Sequence, residues 1–454
     1  MPGAPRAPGA AQRGRATSLA GGFPGAAAGR LLPGSVPFRY FGAAVAFHAL
    51  AWLALAAGAR DWPQWRGGLG WPLAALHLIT VGTLLASAIG ASLQLLPVAT
   101  RQPVRWPRLA GALWWLYVPG TATLALGMGL ARPALLGAGA TVLVASLAVY
   151  ALLLAGNLRG ARGMPGVVLH GWGALAALVL LGLTALALVA LWLGRPTIGH
   201  DAARALHLIA GTFGFMGMLA VGLSYILLPM FALSAMPQER AQIASGAAAL
   251  AAVVLGATAA FGFAPVVLRL AALVAGGFAL ALHLRLMRVT LATGMRPELG
   301  RSLRLMRLGW WAAALTLGLA LALVAAEALG LPAKFLGRLF VLAAIVGWLL
   351  SFLFGVMQRV LPFLASMHAA AGGRRRPPTP SALTLDWPLG WHFGCHLGAL
   401  ALLAAAIVAD SSSLALAAAA VGAVVAIAFG LFVATLLERL RLALAGESSA
   451  GRGT

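Results

Sequence analysis

A single cysteine, Cys395, occurs in 454 residues. The chain therefore forms no internal disulfide, and it has neither the paired thiolates of a CxxC metal site nor the CxxCH attachment of a c-type heme. Acidic side chains are almost as scarce, with nine Asp and Glu against 32 Lys and Arg, and charged residues make up only 9% of the whole. None of the nine lies deep in an apolar stretch: Glu327 and Asp410 sit near outer ends, Glu239 and Glu438 near inner ones. Proton-coupled carriers and pumps relay charge through carboxylates inside the membrane, so this counts against that class. Lysine is nearly absent, Lys334 standing alone against 31 arginines. That imbalance matches GC-rich bacterial coding sequence and points to a bacterial cytoplasmic membrane.

In place of charge there is hydrophobic surface. At 61% apolar residues, no single soluble core would hide the chain from water, so its solvent is the lipid bilayer. A net charge of +23 invites a nucleic-acid reading, but such proteins gather Lys and Arg on a face among other polar groups. Here the basic residues fall between apolar runs, which excludes nucleic acid as the expected partner and fits the retention of basic loops on the cytoplasmic side.

About 20 apolar residues as helix cross the hydrocarbon, because every backbone group must be satisfied internally. Twelve stretches qualify: 40–58, 71–98, 109–131, 134–157, 167–193, 205–233, 241–263, 265–287, 306–329, 335–365, 387–409 and 412–437. With both termini cytoplasmic, only Arg60, Arg66, Arg132, Arg195, Arg204, Arg269, Lys334 and Arg338 fall outside, leaving 24 of the 32 basic residues inside. Residues 1–35, rich in Gly, Pro, Ala and Arg without a signal-peptide core, read as a disordered cytoplasmic tail. Residues 36–440 read as one transmembrane domain and 441–454 as a second cytoplasmic tail. The run from Gly373 through Arg374, Arg375 and Arg376 reads as an inner loop, and the 14 tryptophans, among them Trp62, Trp65, Trp387 and Trp391, as interfacial belts.

An internal repeat divides the domain. Gly90 to Pro97, Gly222 to Pro229 and Gly355 to Pro362 each place Pro seven residues after Gly with Leu before it, and the glycines are 132 and 133 residues apart. Each motif closes the inner end of the second helix in a group of four, which divides the chain into repeats 36–160, 161–295 and 296–440. The expected fold class is all-α integral membrane, about twelve transmembrane helices in three quasi-equivalent four-helix arcs.

That organisation, with His77-Leu-Ile-Thr-Val-Gly82 to Pro97, Gly217 to Phe231 and Leu361 to His368, resembles subunit I of the heme-copper oxidases and its relatives, the NnrS family included. The resemblance covers roughly residues 36–440. It implies a low-spin heme held by histidines of spans two and ten, and a heme-copper centre drawing on spans six, seven and ten, all toward the outer face. His77 lies where the family places a heme ligand and His207 where its copper ligands begin. The chain departs from the family in spans seven and ten, which contain no histidine, the outer positions of the latter being Phe340 and Leu342. This argues against a terminal oxidase. His77 and His207 also precede their prolines by 20 and 22 residues, and two residues turn a helix by about 200°, so the two rings need not face one another.

Neutral imidazole suits heme iron and copper, and an ionisable group in the bilayer points to function. As cofactor ligands the candidates are His77, His207, His48 near the middle of span one, and His170 one turn into span five, the last toward a second, inner heme. As metal ligands they are His200 with His207, two turns apart, and His392 with His396 at the i, i+4 spacing of metal sites, although a pair near a helix mouth is ordinarily a solvated one. For each, the alternative is a histidine bonded to a neighbouring helix. The expected function is a heme-binding, and in part copper-binding, membrane protein of respiration or of nitric oxide and metal stress. Two other readings stay open: a cofactor-free protein that binds respiratory or metal-handling membrane partners, and a small-molecule transporter.

Overall fold

The computed structural model describes residues 30–333, 335–371 and 377–450, with side chains to residue 445. Most of the expected N-terminal tail, the arginines at 374–376, Lys334 and residues 451–454 lie outside the described residues. Among those described, every regular element is helical, and twelve helices are long and apolar enough to span a bilayer. They are α1 (Ser35–Ala57), α2 (Trp71–Ala99), α3 (Pro107–Gly129), α4 (Pro133–Arg159), α5 (Pro165–Trp192), α6 (His200–Ala232), α7 (Glu239–Ala260), α8 (Pro265–Ala292), α9 (Arg301–Ala328), α10 (Leu336–Ala371), α11 (Asp386–Val408) and α12 (Ser412–Ala450). This is a helical membrane protein. Its inner face is defined here as the side on which α1 begins and α12 ends.

Helix starts follow local chemistry. Pro107, Pro133, Pro165 and Pro265 are first helical residues, a position whose N–H has no partner in any helix and where the ring presets φ. The main departures from hydropathy lie at the inner face. α9 begins at Arg301 rather than 306 and α12 runs on to Ala450. Arginine and leucine are good helix formers and an arginine stem lies readily along apolar surface, so a drop in hydropathy at 301–305 and 441–450 does not end the helix.

α12 packs on α1 and closes the helices into a ring, within which α2, α6 and α10 touch one another. Burial separates the two sets: 72%, 78% and 67% of the most apolar stretch of α2, α6 and α10 is buried, against 6–50% for the other nine. The second helix of each repeat is thus the inner helix. α8, at 6%, is the most peripheral, with its buried residues, His283 and Met287 among them, confined to its inner half.

The repeat glycines explain how three helices fit inside nine. A methyl group added to Gly90 would lie 3.0 Å from Tyr40 Cβ on α1; at Gly222 it would lie 2.7 Å from His170 Cβ on α5; at Gly355, 2.7 Å from Met306 Cγ on α9. In every repeat, then, the second helix touches the first at that glycine. Eight residues earlier a further glycine does the same: Gly82 meets Phe47 of α1, Gly214 meets Ala177 of α5 and Gly347 meets Ala312 of α9, at 2.5, 2.5 and 3.0 Å. Lipid tails give apolar helices no hydrophobic reason to associate, so close backbone approach at small residues supplies dispersion contact instead.

Each of these earlier glycines lies in a wide-turn π segment. The segments are Leu78–Leu85, Ile209–Gly217 and Ala343–Leu350, and each ends five residues before the repeat glycine. Such segments release carbonyls from the regular ladder, and side chains take them up. Tyr117 Oη donates to Val81 O at 2.6 Å, Thr83 Oγ1 to Leu78 O at 3.1 Å and Ser351 Oγ to Val346 O at 3.0 Å.

At the outer face two ion pairs tie helices together. Arg269 forks onto Glu327 at 2.6 and 2.7 Å, joining α8 to α9, and Arg338 lies 3.7 Å from Asp410 at the start of the α11–α12 turn. Exposed pairs of this kind add little stability.

Gly355→Leu is expected to lower the unfolding free energy in detergent by about 1–3 kcal/mol, the range for forcing extra volume into packed helices. Gly277→Leu, at a glycine with open space around it, should leave the thermal midpoint unchanged. Equal midpoints for the two variants would contradict the packing role assigned to the repeat glycine.

Candidate functional site

Two half-buried histidines meet between α2 and α6. His77 ends the α-helical first turns of α2 immediately before its π segment, and His207 lies two residues before that of α6. Their ring centroids are 6.2 Å apart with planes inclined at 28°. The two-residue offset does not separate them. Neighbours around a rotational arrangement meet through unlike positions, so matched registers would have pointed the rings in equivalent directions rather than toward each other.

The nitrogen roles follow from the partners. His77 Nδ1 lies 3.0 Å from Leu73 O; a carbonyl only accepts, so Nδ1 carries the proton and Nε2 of the neutral ring keeps its lone pair. This is the arrangement by which a backbone carbonyl orients a ligand imidazole. His207 Nδ1 lies 3.5 Å from Thr184 Oγ1 of α5. α10 brings no imidazole to the same region. Its Phe340 faces Phe213 of α6 at 6.3 Å, and Phe213 also meets Trp348 at 5.8 Å.

His200, expected as a partner of His207, is the first residue of α6 and its side chain is 55% exposed, with Nδ1 3.6 Å from Asp201. Among the described residues its side chain's one polar contact is with that solvated neighbour.

A second group lies where α1, α10, α11 and α12 meet. His392 and His396 are six and ten residues into α11, about 9 and 15 Å along its axis, with relative exposures of 0% and 1%. They are sealed in the bundle rather than solvated at a helix mouth. The i, i+4 spacing puts both on the same face as Leu389, Ala399 and Leu403, which packs inward, while Trp387 and Trp391 take the exposed side. The rings are nearly parallel, 7° apart with centroids at 6.1 Å. Phe354 of α10 stands edge-on to His392 at 4.5 Å and to His396 at 5.8 Å, and His48 of α1 approaches the same phenyl ring at 5.0 Å. Trp52 Nε1 donates to His48 Nε2 at 2.9 Å, and Ser351 Oγ lies 2.7 Å from His396 Nε2.

A third group centres on Tyr225 of α6. His170 of α5 and His283 of α8 flank its ring at 5.5 and 5.4 Å, and Trp310 of α9 lies 6.2 Å beyond His283. His170 Nδ1 donates to Gly166 O at 2.7 Å, so Nε2 again keeps the lone pair. That atom, Tyr225 Oη, His283 Nδ1 and Trp310 Nε1 are buried without a hydrogen-bond partner. His170 fills a cradle between Gly222 and Gly246, where methyl groups would come within 2.7 Å of its ring or Cβ. His368, at the inner end of α10, lies 2.8 Å from Gln94 Nε2, and Gln94 Oε1 accepts from Leu32 N at 2.9 Å, which pins the segment before α1.

Four candidate imidazoles are thus brought together in two pairs, His77 with His207 and His392 with His396. His48 joins the second pair across Phe354, His170 stands apart and His200 is at the surface. Among the described residues, no three His, Cys, Asp or Glu side chains cluster closely enough to hold a metal ion. The partnerships of Tyr225, Phe354 and Ser351 had no separate signal in the sequence. The glycines at 82, 214 and 347 did: they stand at the repeat period, eight residues before the motif glycines. No family model matches the chain, and no curated protein matches it.

Ser351→Ala leaves the proton on His396 Nε2 buried without an acceptor and is expected to cost about 1–3 kcal/mol. The double variant Ser351→Ala/His396→Phe should recover most of that loss, because both polar partners are gone. Chemical unfolding of the single and double variants checks both.

Proposed function

We propose that this chain is a heme-binding protein of a bacterial cytoplasmic membrane, related to subunit I of the heme-copper oxidases and to the NnrS branch, and that it acts in respiration or in nitric oxide and metal stress. The supporting observation is the His77–His207 pair, which joins two repeats toward the outer end of the bundle. The donor set fits heme iron. Both ligands are imidazoles, the Nε2 of His77 is left as its lone-pair nitrogen by Leu73, and centroids at 6.2 Å allow one nitrogen from each ring to approach a common metal at about 2 Å. Neither ring is sealed, in contrast to the buried His48, His170, His283, His392 and His396, so a group can reach the pair without opening the packed interior.

Bound there, heme iron would supply one-electron exchange. The chain's own residues do the rest. Leu73 O holds the His77 ring in one tautomer, Thr184 stands beside His207, and the Gly214–Ala177 contact holds the π segment of α6 against α5. Phe213 of α6 packs against Phe340 and Trp348 of α10, which joins these two inner helices through aromatic rings. With no histidine on α7 or α10 toward the outer face, the reading does not extend to reduction of oxygen at a binuclear centre.

The purified protein is expected to show a Soret band, and His77→Ala or His207→Ala to reduce heme occupancy about tenfold or more. A colourless wild-type protein with no bound iron, even after incubation with hemin, would sink the reading. Orientation has its own test: a green fluorescent protein fused after residue 454 should fluoresce, and alkaline phosphatase at the same place should be inactive, because both termini are assigned to the cytoplasm by the positive-inside distribution.

A further inference from the structure

Between the inner ends of α9 and α11 is a cavity of about 440 Å³, open to the outside of the bundle and lined by Arg301, Trp387, Gly390, Trp391, Gly394 and Cys395. Arg301 is the first residue of α9, and the other five lie within the first turns of α11, over about 12 Å of its axis. The two glycines do not seat a neighbouring helix. A methyl group on Gly394 would meet nothing within 4 Å, and one on Gly390 would meet the guanidinium of Arg301 first, at 3.6 Å, whereas the repeat glycines hold another helix at 3.0 Å or less.

The first repeat has a related arrangement without the gap. Counted from the start of each helix, Gly390, Phe393 and Gly394 of α11 correspond to Gly111, Trp114 and Trp115 of α3. Arg39 of α1 stands 5.9 Å from Trp114, as Arg304 of α9 stands 5.9 Å from Phe393. The arginine-over-ring contact thus recurs, but a tryptophan takes the place of Gly394.

Charge and position narrow what fits the cavity. Among the described residues neither the Arg301 nor the Arg304 guanidinium has a hydrogen bond or an ion pair. The carboxylates nearest in sequence, Glu298 and Asp386, line no part of the cavity. A planar guanidinium fork matches the oxygens of a phosphate. Trp387 and Trp391 are 55% and 61% exposed, on the outer wall of the bundle, where tryptophan rings sit at the level of lipid head groups. Deeper along α11 the exposed side chain is Leu397. A water-soluble anion would use only the charged mouth, whereas a phospholipid uses the mouth and the apolar slot together. Basic pockets between spanning helices hold anionic head groups in this way, and the volume is within the range of small-ligand sites.

We infer that this cavity binds an anionic phospholipid of the inner leaflet. Arg301, with Arg304 one turn further along α9, holds the phosphate; Trp387 and Trp391 flank the glycerol; an acyl chain leaves past Gly394 along α11. The site shares no residue with the His77–His207 pair.

The test uses the full-length protein in detergent, stripped of co-purified lipid. Cys395, the single thiol of the chain and a wall of the cavity, serves as reporter, its alkylation by N-ethylmaleimide followed by intact-mass spectrometry. Phosphatidylglycerol is expected to slow alkylation severalfold and to remain on the chain in native mass spectra. Phosphatidylcholine with the same acyl chains, and glycerol 3-phosphate without any, should do neither. The double variant Arg301→Gln/Arg304→Gln should weaken phosphatidylglycerol retention about tenfold or more. Gly394→Leu fills the slot without touching another helix and should abolish retention, while Gly277→Leu, at another glycine facing open space, should leave it unchanged. His77→Ala should also leave it unchanged, so this site and the heme reading can fail separately. Equal retention of phosphatidylcholine, protection by glycerol 3-phosphate alone, retention unaltered in Arg301→Gln/Arg304→Gln, or no phosphatidylglycerol on the wild-type chain would each overturn the assignment. The wild-type comparison of the two lipids decides the matter even where a variant does not fold or Cys395 does not react.

Discussion

In lipid the usual reason for apolar surfaces to come together is missing, since a leucine side chain gains nothing by leaving one hydrocarbon for another. What remains is the distance at which backbones can meet. Gly90, Gly222 and Gly355, with Gly82, Gly214 and Gly347 two turns away, let the second helix of each repeat lie against the first with no Cβ between them. The consequence is architectural. Three helices drawn in this closely become the interior of a ring, and the other nine shield them. The His77–His207 meeting depends on that placement, as does the packing of Phe354 against His392 and His396, because α2, α6 and α10 carry His77, His207 and Phe354 to where their partners stand.

The same placement divides the histidines by access. The outer pair, at the head of two inner helices, is half-buried. The inner groups are closed by aromatic rings from several helices. A polar side chain in such a place loses its hydration outright and must be repaid by hydrogen bonds or by a ligand. Trp52 and Ser351 supply bonds to one nitrogen each of His48 and His396. Their other nitrogens, Nδ1 of His48 and Nδ1 of His396, find no partner among the described residues.

Much of the fold was legible in one dimension because lipid imposes a length and an apolarity on each helix that hydropathy reads directly. Trp71–Ala99, expected at 71–98, and Asp386–Val408, expected at 387–409, differ by a residue or so from the sequence boundaries. The three-repeat organisation could be read from Gly90, Gly222 and Gly355 for a related reason, since a close helix contact tolerates no other side chain. Side-chain meetings across helices were less accessible. Position along α11 put His392 and His396 at a helix mouth, but said nothing of the inward face they occupy, and the face decides between solvent and core. For His77 and His207, comparing registers as though the two helices were superposed missed that adjacent helices in a ring present different positions to each other. The wide turns left no mark in hydropathy, because they alter backbone bonding without altering composition.

Those wide turns affect bonding between helices as well as shape. A π segment arises where a helix holds one residue more than its hydrogen-bond ladder needs, and here it sits at one register in three helices, ending five residues before the motif glycine each time. The carbonyls it frees take bonds from Tyr117, Thr83 and Ser351. The first of these crosses from α3 to Val81 of α2, so a polar link fastens one side of that inner helix at the level where Gly82 seats its other side against Phe47 of α1.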